Sequence, residues 1–301
     1  MSHSQTLGAG DKLGTGDSYL TLDILPPELA AHAFDRLRDE VKWDVMHHRG
    51  GEVPRLVAVE GLVGDDGSIP IYRHPADESP PLHPFSPTVD EIRKAVEKVL
   101  QHPVNHVLIQ LYRTGQDYIS EHSDKTIDVV HGSYIVNVSL GAQRTMTLRM
   151  KRDGVPAAAD SANPDTPPPP RTTQRIPLPH NSMFVMGLET NAKWMHGIKQ
   201  DNRFITLKSP AEMFQAGERI SLTFRRIGTF LSADQSLIWG QGATGKTRET
   251  ARPVVHGVKE SESLVIAFGA ENHQSDFAWD EHYGMGFDVV NFKTKDDEEQ
   301  Q

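Results

Sequence analysis

An imidazole and a carboxylate lie two residues apart in the segment His122-Ser-Asp124. On an extended strand, side chains two residues apart project from the same face, so both groups could reach one ion. A further histidine, His196, follows in the segment Trp-Met-His-Gly-Ile. Two histidines and one carboxylate, with other coordination positions left open, form the ligand set of non-haem Fe(II) oxygenases. His122, Asp124 and His196 are therefore candidate metal ligands and catalytic residues, although a His-x-Asp pair alone often arises by chance.

A second chemical signal lies in the segment Arg219-Ile-Ser-Leu-Thr-Phe-Arg225, which alternates polar and apolar residues as strands do. On such a strand both arginines point to the same side, where their like charges favour a bound anion. Arginine binds carboxylates through paired, directed hydrogen bonds, so a dicarboxylate would suit the pair. Two exposed arginines at a sheet edge are the alternative interpretation.

The composition excludes several kinds of site and partner. The 301 residues carry a formal net charge of -10, so any contact with nucleic acid needs a local basic patch. The chain has no cysteine, which excludes disulfides, cysteine-bound zinc and thiol catalysis. The sequence shows no apolar signal-peptide core and no apolar run of membrane-spanning length. It therefore predicts an intracellular protein, of the nucleus or cytoplasm, without a membrane partner.

The elements that must position these residues are mostly short strands. Helical spacing of apolar residues predicts helices from Pro26 to Val41, from Thr88 to Leu100 and from Ser261 to Gly269. Apolar and alternating runs bounded by turn residues predict strands at 19–25, 43–49, 53–59, 106–112, 133–140, 144–150, 175–178, 183–186, 194–198 and 218–227. Many short strands with few helices indicate a mainly β fold with flanking helices (α+β), built as a barrel or a two-sheet sandwich.

Composition and texture divide the chain into four segments. Residues 1–18, rich in Gly, Ser and Thr, are expected to form a disordered tail. Residues 19–105 are expected to form an N-terminal lid with helical support. Residues 106–230 are expected to form the β core, with a Pro-rich insertion at 153–173. Residues 231–301 are expected to be a C-terminal extension.

The extension contains the segment Gly240-Gln-Gly-Ala-Thr-Gly-Lys-Thr247, which matches the P-loop pattern. A working P-loop follows a buried strand and opens a helix whose N-terminus holds phosphate. Here the preceding apolar run is short, and Pro253 would break a following helix within two turns. A glycine-rich surface loop is therefore the expected structure, and no nucleoside triphosphate partner is expected.

The order Tyr112, His122-x-Asp124, His196 and Arg219-x-x-x-x-x-Arg225 resembles the AlkB family of Fe(II)/2-oxoglutarate dioxygenases. It is most similar to the eukaryotic branch that repairs alkylated nucleic acid. The resemblance covers about residues 40–230 and extends to further motifs, which are Val53-Pro-Arg55, Val107–Tyr112, Asp117–His122, Val138–Gly141, and Pro177–His180 with Met186. It implies a double-stranded β-helix (jelly roll) core with an N-terminal substrate lid.

The resemblance also implies roles for these residues. His122, Asp124 and His196 would hold Fe(II), and Tyr112 would donate a hydrogen bond to the 2-oxoglutarate cosubstrate. Arg219 would bind the distal carboxylate of 2-oxoglutarate, and Arg225 the carboxylate beside its keto group. Reaction with O2 would give succinate, carbon dioxide and an oxidant that hydroxylates a substrate C–H bond. On an N-methyl group, the resulting hemiaminal would lose formaldehyde, which amounts to demethylation.

The sequence departs from the family pattern at three positions. Gln110 and Ser221 stand where the family usually has asparagine, and both are expected to contact the cosubstrate. Since one change adds a methylene and the other removes amide bulk, we hypothesise that they compensate for each other. Thr126 stands where the repair enzymes carry a carboxylate that contacts the damaged base. A positively charged methylated base would lose that electrostatic partner, although Asp128 lies two residues further on.

Further candidate substrate contacts come from the lid and from a basic segment. Arg55 and Tyr72 lie where the family's lid approaches the substrate, with ordinary packing as the alternative. Near the expected open end of the barrel, basic side chains could contact a nucleic-acid backbone or form a solvated strand end. These are Arg144, Arg149, Lys151 and Arg152.

The interpretation favoured by these motifs is an AlkB-like dioxygenase that removes an N-alkyl group from a nucleobase in DNA or RNA. The first alternative keeps the oxidant and changes the substrate to a small-molecule metabolite, in line with the acidic net charge and Thr126. The second alternative is a non-catalytic binding module on the same scaffold. The complete set of candidate ligands and both arginines argue against that second alternative.

Overall fold

The computed structural model describes residues 4–48, 51–75, 80–153 and 170–290. The helices are α1 (Pro27–Glu40), α2 (Pro87–Leu100), α3 (Leu188–Lys193), α4 (Val258–His273) and α5 (Trp279–Tyr283). The strands are β1 (Ser4–Thr6), β2 (Tyr19–Leu22), β3 (Asp44–His48), β4 (Gly51–Gly61), β5 (Ile69–Pro70), β6 (Leu82–Pro84), β7 (His106–Tyr112), β8 (Ile119–His122), β9 (Ile135–Gly141), β10 (Arg144–Met150), β11 (Thr173–Leu178), β12 (Ser182–Met186), β13 (Trp194–Ile198), β14 (Arg219–Arg225), β15 (Thr229–Leu231), β16 (Leu237–Gly240) and β17 (Arg252–Pro253).

Two mainly antiparallel sheets form the centre of the molecule. The larger sheet has the strand order β2-β12-β9-β14-β7-β4-β3, with β6 beside β4, and the smaller has the order β1-β11-β10-β13-β8. Buried side chains from both sheets, including Met146, Ile176 and Phe184, belong to one core cluster. This two-layer arrangement agrees with the two-sheet fold that the strand pattern predicted and with the jelly roll that the family resemblance implied. The predicted strands 106–112, 144–150 and 194–198 are observed with the same bounds.

Helices α1 and α2 cover the outer face of the larger sheet. Each begins at a proline, which has no backbone N–H and tolerates the first turn. Phe34 and Leu37 of α1 and Ile92 and Val96 of α2 are buried in one cluster with residues of β7, β9 and β14. The apolar side chains that recur at helical spacing in the sequence thus face the sheet. Among the described residues, no helix combines the length and apolar character needed to cross a lipid bilayer.

Residues 4–18 differ from the disordered tail that the sequence predicted. β1 pairs in parallel with β11, and Leu13 is fully buried in the core between the sheets. Asp17 accepts a hydrogen bond from the backbone amide of Thr190, at the start of α3. The prediction gave weight to the small polar residues and neglected Leu7 and Leu13, whose burial holds the segment in place. The Pro-rich insertion predicted at 153–173 falls mostly on 154–169, outside the described residues.

The C-terminal extension is hydrogen-bonded to one member of a buried ion pair, Arg73–Asp128. Arg73 and Asp128 are 2% and 0% exposed, and their closest N–O distance is 2.7 Å. The same guanidinium donates hydrogen bonds to the carbonyl oxygens of Gly242, Phe287 and Val289. One side chain of the N-terminal segment 19–105 therefore contacts both the segment after Asp124 and the extension.

The P-loop-like segment Gly240–Thr247 forms part of this junction. Lys246 donates hydrogen bonds from Nζ to the carbonyl oxygens of Gln241 and Gly284. A three-residue turn, Arg248–Thr250, follows the segment where a working P-loop would open a long helix. The lysine thus ties the loop to the chain that follows α5.

Replacing Asp128 by alanine is expected to destabilise the protein by about 3–5 kcal/mol, because Arg73 would remain buried without its anion. The measurement is the free energy of unfolding in urea. As a control, Glu91→Gln breaks the half-exposed pair with Arg36, whose N–O distance is 3.9 Å, and should change stability by less than about 0.5 kcal/mol. Equal effects of the two substitutions would contradict the role given to Asp128.

Candidate active site

The structure brings the three predicted metal ligands together. His122 ends β8 and His196 lies directly opposite it on the neighbouring strand β13. Asp124 follows β8, and its Oδ1 atom lies 3.5 Å from Nε2 of His122 and 3.7 Å from Nε2 of His196. The three ligand atoms lie within 4.8 Å of one another. This spacing allows one metal ion to contact all three side chains.

Hydrogen bonds around the three residues fix which of their atoms face the position where one metal ion could contact all three. His122 Nδ1 lies 2.8 Å from the carbonyl oxygen of Ser120. A carbonyl only accepts, so Nδ1 carries the proton and Nε2 keeps its lone pair for a metal. Asn191 holds the backbone of Asp124 on both sides, since its Oδ1 accepts from the Asp124 amide and its Nδ2 donates to the Asp124 carbonyl. The sequence gave no sign of this role for Asn191.

The electrostatics favour the protonation states in which these side chains bind metals. Burial alone would raise the pKa of Asp124, but the guanidinium of Arg225, 2.6 Å from Oδ2, holds it well below its usual range. Burial, together with the neighbouring His122, lowers the pKa of His196 to about 3. At neutral pH the site therefore offers a carboxylate and a neutral imidazole, which are the metal-binding forms.

Arg219, the other arginine of the predicted pair, lies in a polar pocket of the larger sheet. β14 runs between β7 and β9, which places Arg219 opposite Tyr112. One guanidinium nitrogen donates to Asn137 at 3.0 Å and to Ser139 at 2.7 Å. The other two, Nε and Nη1, are buried without a partner among the described residues. Unpaired buried donors are costly, so their presence indicates a site for an anion such as a carboxylate.

Two of the three positions at which the sequence departs from the family pattern are cross-strand neighbours. Gln110 on β7 pairs directly with Ser221 on β14. Gln110 accepts a hydrogen bond from the Tyr112 hydroxyl at 3.2 Å, and Ser221 accepts one from Asn137 at 2.6 Å. Compensation between the two changes requires such proximity, and it remains a hypothesis.

A single cavity of about 510 Å³ connects the metal-ligand cluster with both arginines. Of the four predicted substrate contacts, Arg55 and Tyr72 line this cavity. The Tyr72 ring lies 3.9 Å from the guanidinium carbon of Arg225, and its hydroxyl accepts the backbone N–H of Lys125. Arg55 donates to the carbonyl oxygen of Tyr118 at 2.8 Å.

Arg144 does not belong to an exposed basic patch. Its side chain is buried and donates to the carbonyl oxygens of Thr114, Asp117 and Lys199. These bonds use the guanidinium to join the loop before β8 to the end of β13. The prediction of a nucleic-acid contact at Arg144 therefore does not agree with its position, because a side chain this buried cannot reach a nucleic-acid backbone.

Thr126 also lies outside the lining of the cavity. Both its backbone N–H and its hydroxyl donate to the carboxylate of Glu271 on α4. The second oxygen of Glu271 accepts from the Tyr283 hydroxyl at 2.7 Å. Thr126 therefore attaches the metal-binding segment to the extension, which differs from the substrate contact that its sequence position suggested.

Helix α4 supplies a wall of the cavity that the sequence did not indicate. Its residues Val265, Phe268, Gly269, Asn272 and His273 line the space beside the metal ligands. Asn272 is tied to the metal-binding segment, because its Oδ1 accepts the backbone N–H of residue 123 at 3.0 Å. The sequence predicted this helix but carried no signal of where it would pack.

A family model described as the 2OG-Fe(II) oxygenase superfamily matches residues 17–225. The chain belongs to this superfamily. The matched range contains all three candidate metal ligands and both arginines, and the superfamily implies Fe(II), 2-oxoglutarate and O2. The superfamily match and the two observed sheets together confirm the predicted mainly β fold with a jelly-roll core.

Two human proteins are among the relatives of this superfamily member. It is 33% identical over 144 residues to DNA oxidative demethylase ALKBH2, which covers 48% of each chain. It is 26% identical over 197 residues to alpha-ketoglutarate-dependent dioxygenase alkB homolog 3, which covers 63% of this chain and 56% of the relative. The chain thus spans about half the length of these relatives. The solved structure of OsALKBH1 aligns with a TM-score of 0.41 at 16% identity, over 69% of this chain and 97% of that chain.

In this superfamily member, Arg219→Lys is expected to weaken 2-oxoglutarate binding about 10- to 100-fold. Lysine keeps the charge but loses the fork of donors that a carboxylate needs. The measurement is the dissociation constant for 2-oxoglutarate in the presence of Mn(II). Arg36→Lys on the exposed side of α1 is the matched control and should leave binding unchanged. Unaltered affinity in Arg219→Lys would place the dicarboxylate elsewhere.

Thr126→Val is expected to lower the free energy of unfolding by about 1–3 kcal/mol, since Glu271 would lose a hydrogen bond in a buried place. The preference among substrates should stay the same, because Thr126 does not line the cavity. Thr206→Val, at an exposed position, serves as the control and should change stability by less than about 0.5 kcal/mol. A changed substrate preference with unaltered stability would instead identify Thr126 as a substrate contact.

Proposed function

We propose that this protein is an Fe(II)- and 2-oxoglutarate-dependent dioxygenase that removes N-alkyl groups from a nucleobase in DNA or RNA. The observation that carries this proposal is the single cavity that joins the three candidate metal ligands to two arginines with unpaired buried donors. The similarity to a protein named as a DNA oxidative demethylase supports the choice of reaction and substrate.

The side chains present fit an Fe(II) ion with three protein ligands. His122 and His196 each present Nε2, and Asp124 presents Oδ1, because Arg225 occupies its other oxygen. One carboxylate and two imidazoles on one side leave the remaining positions open for small ligands. When bound, the iron supplies activation of dioxygen, coupled to oxidative decarboxylation of 2-oxoglutarate to succinate and carbon dioxide.

The two arginines fit the two carboxylates of 2-oxoglutarate. The free N–H groups of Arg219 would hold the distal carboxylate, at the end of the pocket marked by Asn137 and Ser139. The unpaired Nη1 of Arg225 would hold the carboxylate beside the keto group. Tyr112, whose ring lies 5.1 Å from the Arg219 guanidinium carbon, would add a hydrogen bond. These contacts orient the cosubstrate and exclude water from the pocket.

The proposed reaction hydroxylates the substrate, and the product then undergoes an elimination. One oxygen atom of O2 enters the N–CH3 group to give N–CH2OH, and the other enters succinate. The hemiaminal then breaks its C–N bond, so that formaldehyde leaves, the electron pair of that bond returns to the ring nitrogen, and the hydroxyl proton passes to that nitrogen in a neutral base or to solvent in a cationic one. The role of this chain is to present the alkyl group beside the open side of the metal-ligand cluster, with Arg55 and Tyr72 in the cavity wall.

The test is release of formaldehyde from oligonucleotides that carry one methylated base, in the presence of Fe(II), 2-oxoglutarate and O2. His122→Ala is expected to abolish release, because two ligands cannot hold iron in the required geometry. His32→Ala on the exposed face of α1 is the matched control and should retain full activity.

Three outcomes separate the alternatives. Formaldehyde from oligonucleotides that depends on His122 supports the proposal. Consumption of 2-oxoglutarate with a methylated metabolite, but not with any oligonucleotide, would identify a small-molecule dioxygenase. A protein that neither binds nor consumes 2-oxoglutarate would be a non-catalytic binding module. Nucleic-acid repair also implies a location in the nucleus or cytoplasm, and this location is part of the same proposal.

A further inference from the structure

The charged side chains of the cavity wall are mostly positive. Asp124 is the only carboxylate among the described residues that line the cavity, and the Arg225 pair and the metal position occupy both of its oxygens. Beyond the arginine pair of β14, the lining also includes Arg55 and Lys125. The part of the described wall that is left for a substrate therefore offers positive charge without a free negative charge.

Two buried carboxylates that are adjacent in the chain to lining residues interact with groups other than the cavity. Glu271 is 3% exposed and accepts hydrogen bonds from Thr126 and from the hydroxyl of Tyr283. Asp117 is 5% exposed and pairs with Arg113 at 2.9 Å. Neither lines the cavity, so neither presents a carboxylate oxygen directly to a substrate there.

The same wall presents hydrogen-bond donors. Arg55 is 8% exposed, and its Nε has no partner among the described residues. The Oδ1 atom of Asn272 accepts from the amide of residue 123, so its Nδ2 group stays available as a donor to the cavity. Lys125 adds an ammonium group 3.4 Å from the same Asn272 oxygen. Donors of this kind match a ligand rich in carbonyl oxygens.

Alkylated bases differ in net charge and in the hydrogen-bonding groups beside the alkylated nitrogen. N1-methyladenine and N3-methylcytosine carry a positive charge at neutral pH and present an amino nitrogen on one side of the methylated position, and N3-methylcytosine also has a carbonyl oxygen on the other side. N3-methylthymine and N1-methylguanine are neutral. N3-methylthymine presents a carbonyl oxygen on each side of the methylated nitrogen, and N1-methylguanine presents one carbonyl oxygen and one amino group. A buried cation without a counter-charge is strongly disfavoured, whereas unpaired donors gain energy from a carbonyl acceptor.

We propose that the cavity selects neutral, carbonyl-bearing alkylated bases of the thymine, uracil and guanine type over cationic alkylated adenine and cytosine. This inference rests on the proposed function and names the substrate class of that same site. Selection arises from both an attractive and a repulsive element. Arg55, Lys125 and Asn272 attract carbonyl oxygens, and the first two repel a cationic ring.

The experiment compares four oligonucleotides of one sequence, each with a single N3-methylthymine, N1-methylguanine, N1-methyladenine or N3-methylcytosine. The measurement is kcat/KM for formaldehyde release under identical metal and cosubstrate concentrations. The two neutral bases are expected to react at least about tenfold more efficiently than the two cationic bases. Equal or faster reaction of the cationic bases would overturn the inference while leaving N-dealkylation in place.

A charge-inverting variant tests the physical cause. Asn272→Asp keeps an acceptor for the amide of residue 123 and replaces the free donor by a carboxylate oxygen of nearly the same size. The ratio of kcat/KM for neutral over cationic bases should fall about tenfold. Gln274→Glu is the matched control, since it adds the same charge at an exposed position two residues along. Its ratio should equal that of the unaltered protein.

Failure of the proposed base preference gives different results from failure of the proposed dealkylation. An unchanged ratio in Asn272→Asp, with a normal circular dichroism spectrum, would overturn the inference even though dealkylation occurs. Equal shifts in the aspartate and glutamate variants would overturn it as well, because they would show a general charge effect. Absence of formaldehyde from all four oligonucleotides would reject the proposed function, and this inference with it.

Discussion

The buried pair between Arg225 and Asp124 is the interaction on which the rest of the site depends. A charge this deep is tolerated only with a partner and further hydrogen bonds, and here each residue supplies them to the other. Because the guanidinium takes Oδ2, the carboxylate turns Oδ1 towards both histidines. The same guanidinium keeps Nη1 free for an anion. One ion pair therefore fixes the direction of the metal ligand and positions the cosubstrate arginine.

Several polar atoms of the cavity remain without partners in the described structure. Buried polar groups are almost always hydrogen-bonded, so a cluster of exceptions signals a binding site and not a packing fault. The unpaired atoms comprise Nε and Nη1 of Arg219, Nη1 of Arg225, Nε of Arg55 and Nδ1 of His196. The four guanidinium atoms are donors, and a dicarboxylate together with a carbonyl-bearing base would satisfy them. The protein holds these groups ready at a cost in stability that ligand binding would offset.

The C-terminal extension takes part in the site although it lies beyond the residues matched by the superfamily. Lys151 at the end of β10 donates to the carbonyl oxygens of Glu271 and Gln274, at the C-terminal end of α4. A cation in this position complements the helix dipole, and burial lowers the pKa of this lysine to about 8. Glu271 binds Thr126 from the other side. These contacts hold α4 against the metal-binding segment, where it decides which groups face the substrate.

The sequence by itself determined the elements whose signals are local. Alternation predicted the strands 106–112 and 218–227, and spacing placed Arg219 and Arg225 on one face, because strand geometry follows directly from residue order. It also indicated His122, Asp124 and His196 as ligands, which the structure brings within reach of one ion. Only the tertiary structure decided the positions of Thr126, Arg144 and α4. Glu271 is 145 residues from Thr126 in the chain, so no local pattern could show that this pairing removes both side chains from the cavity.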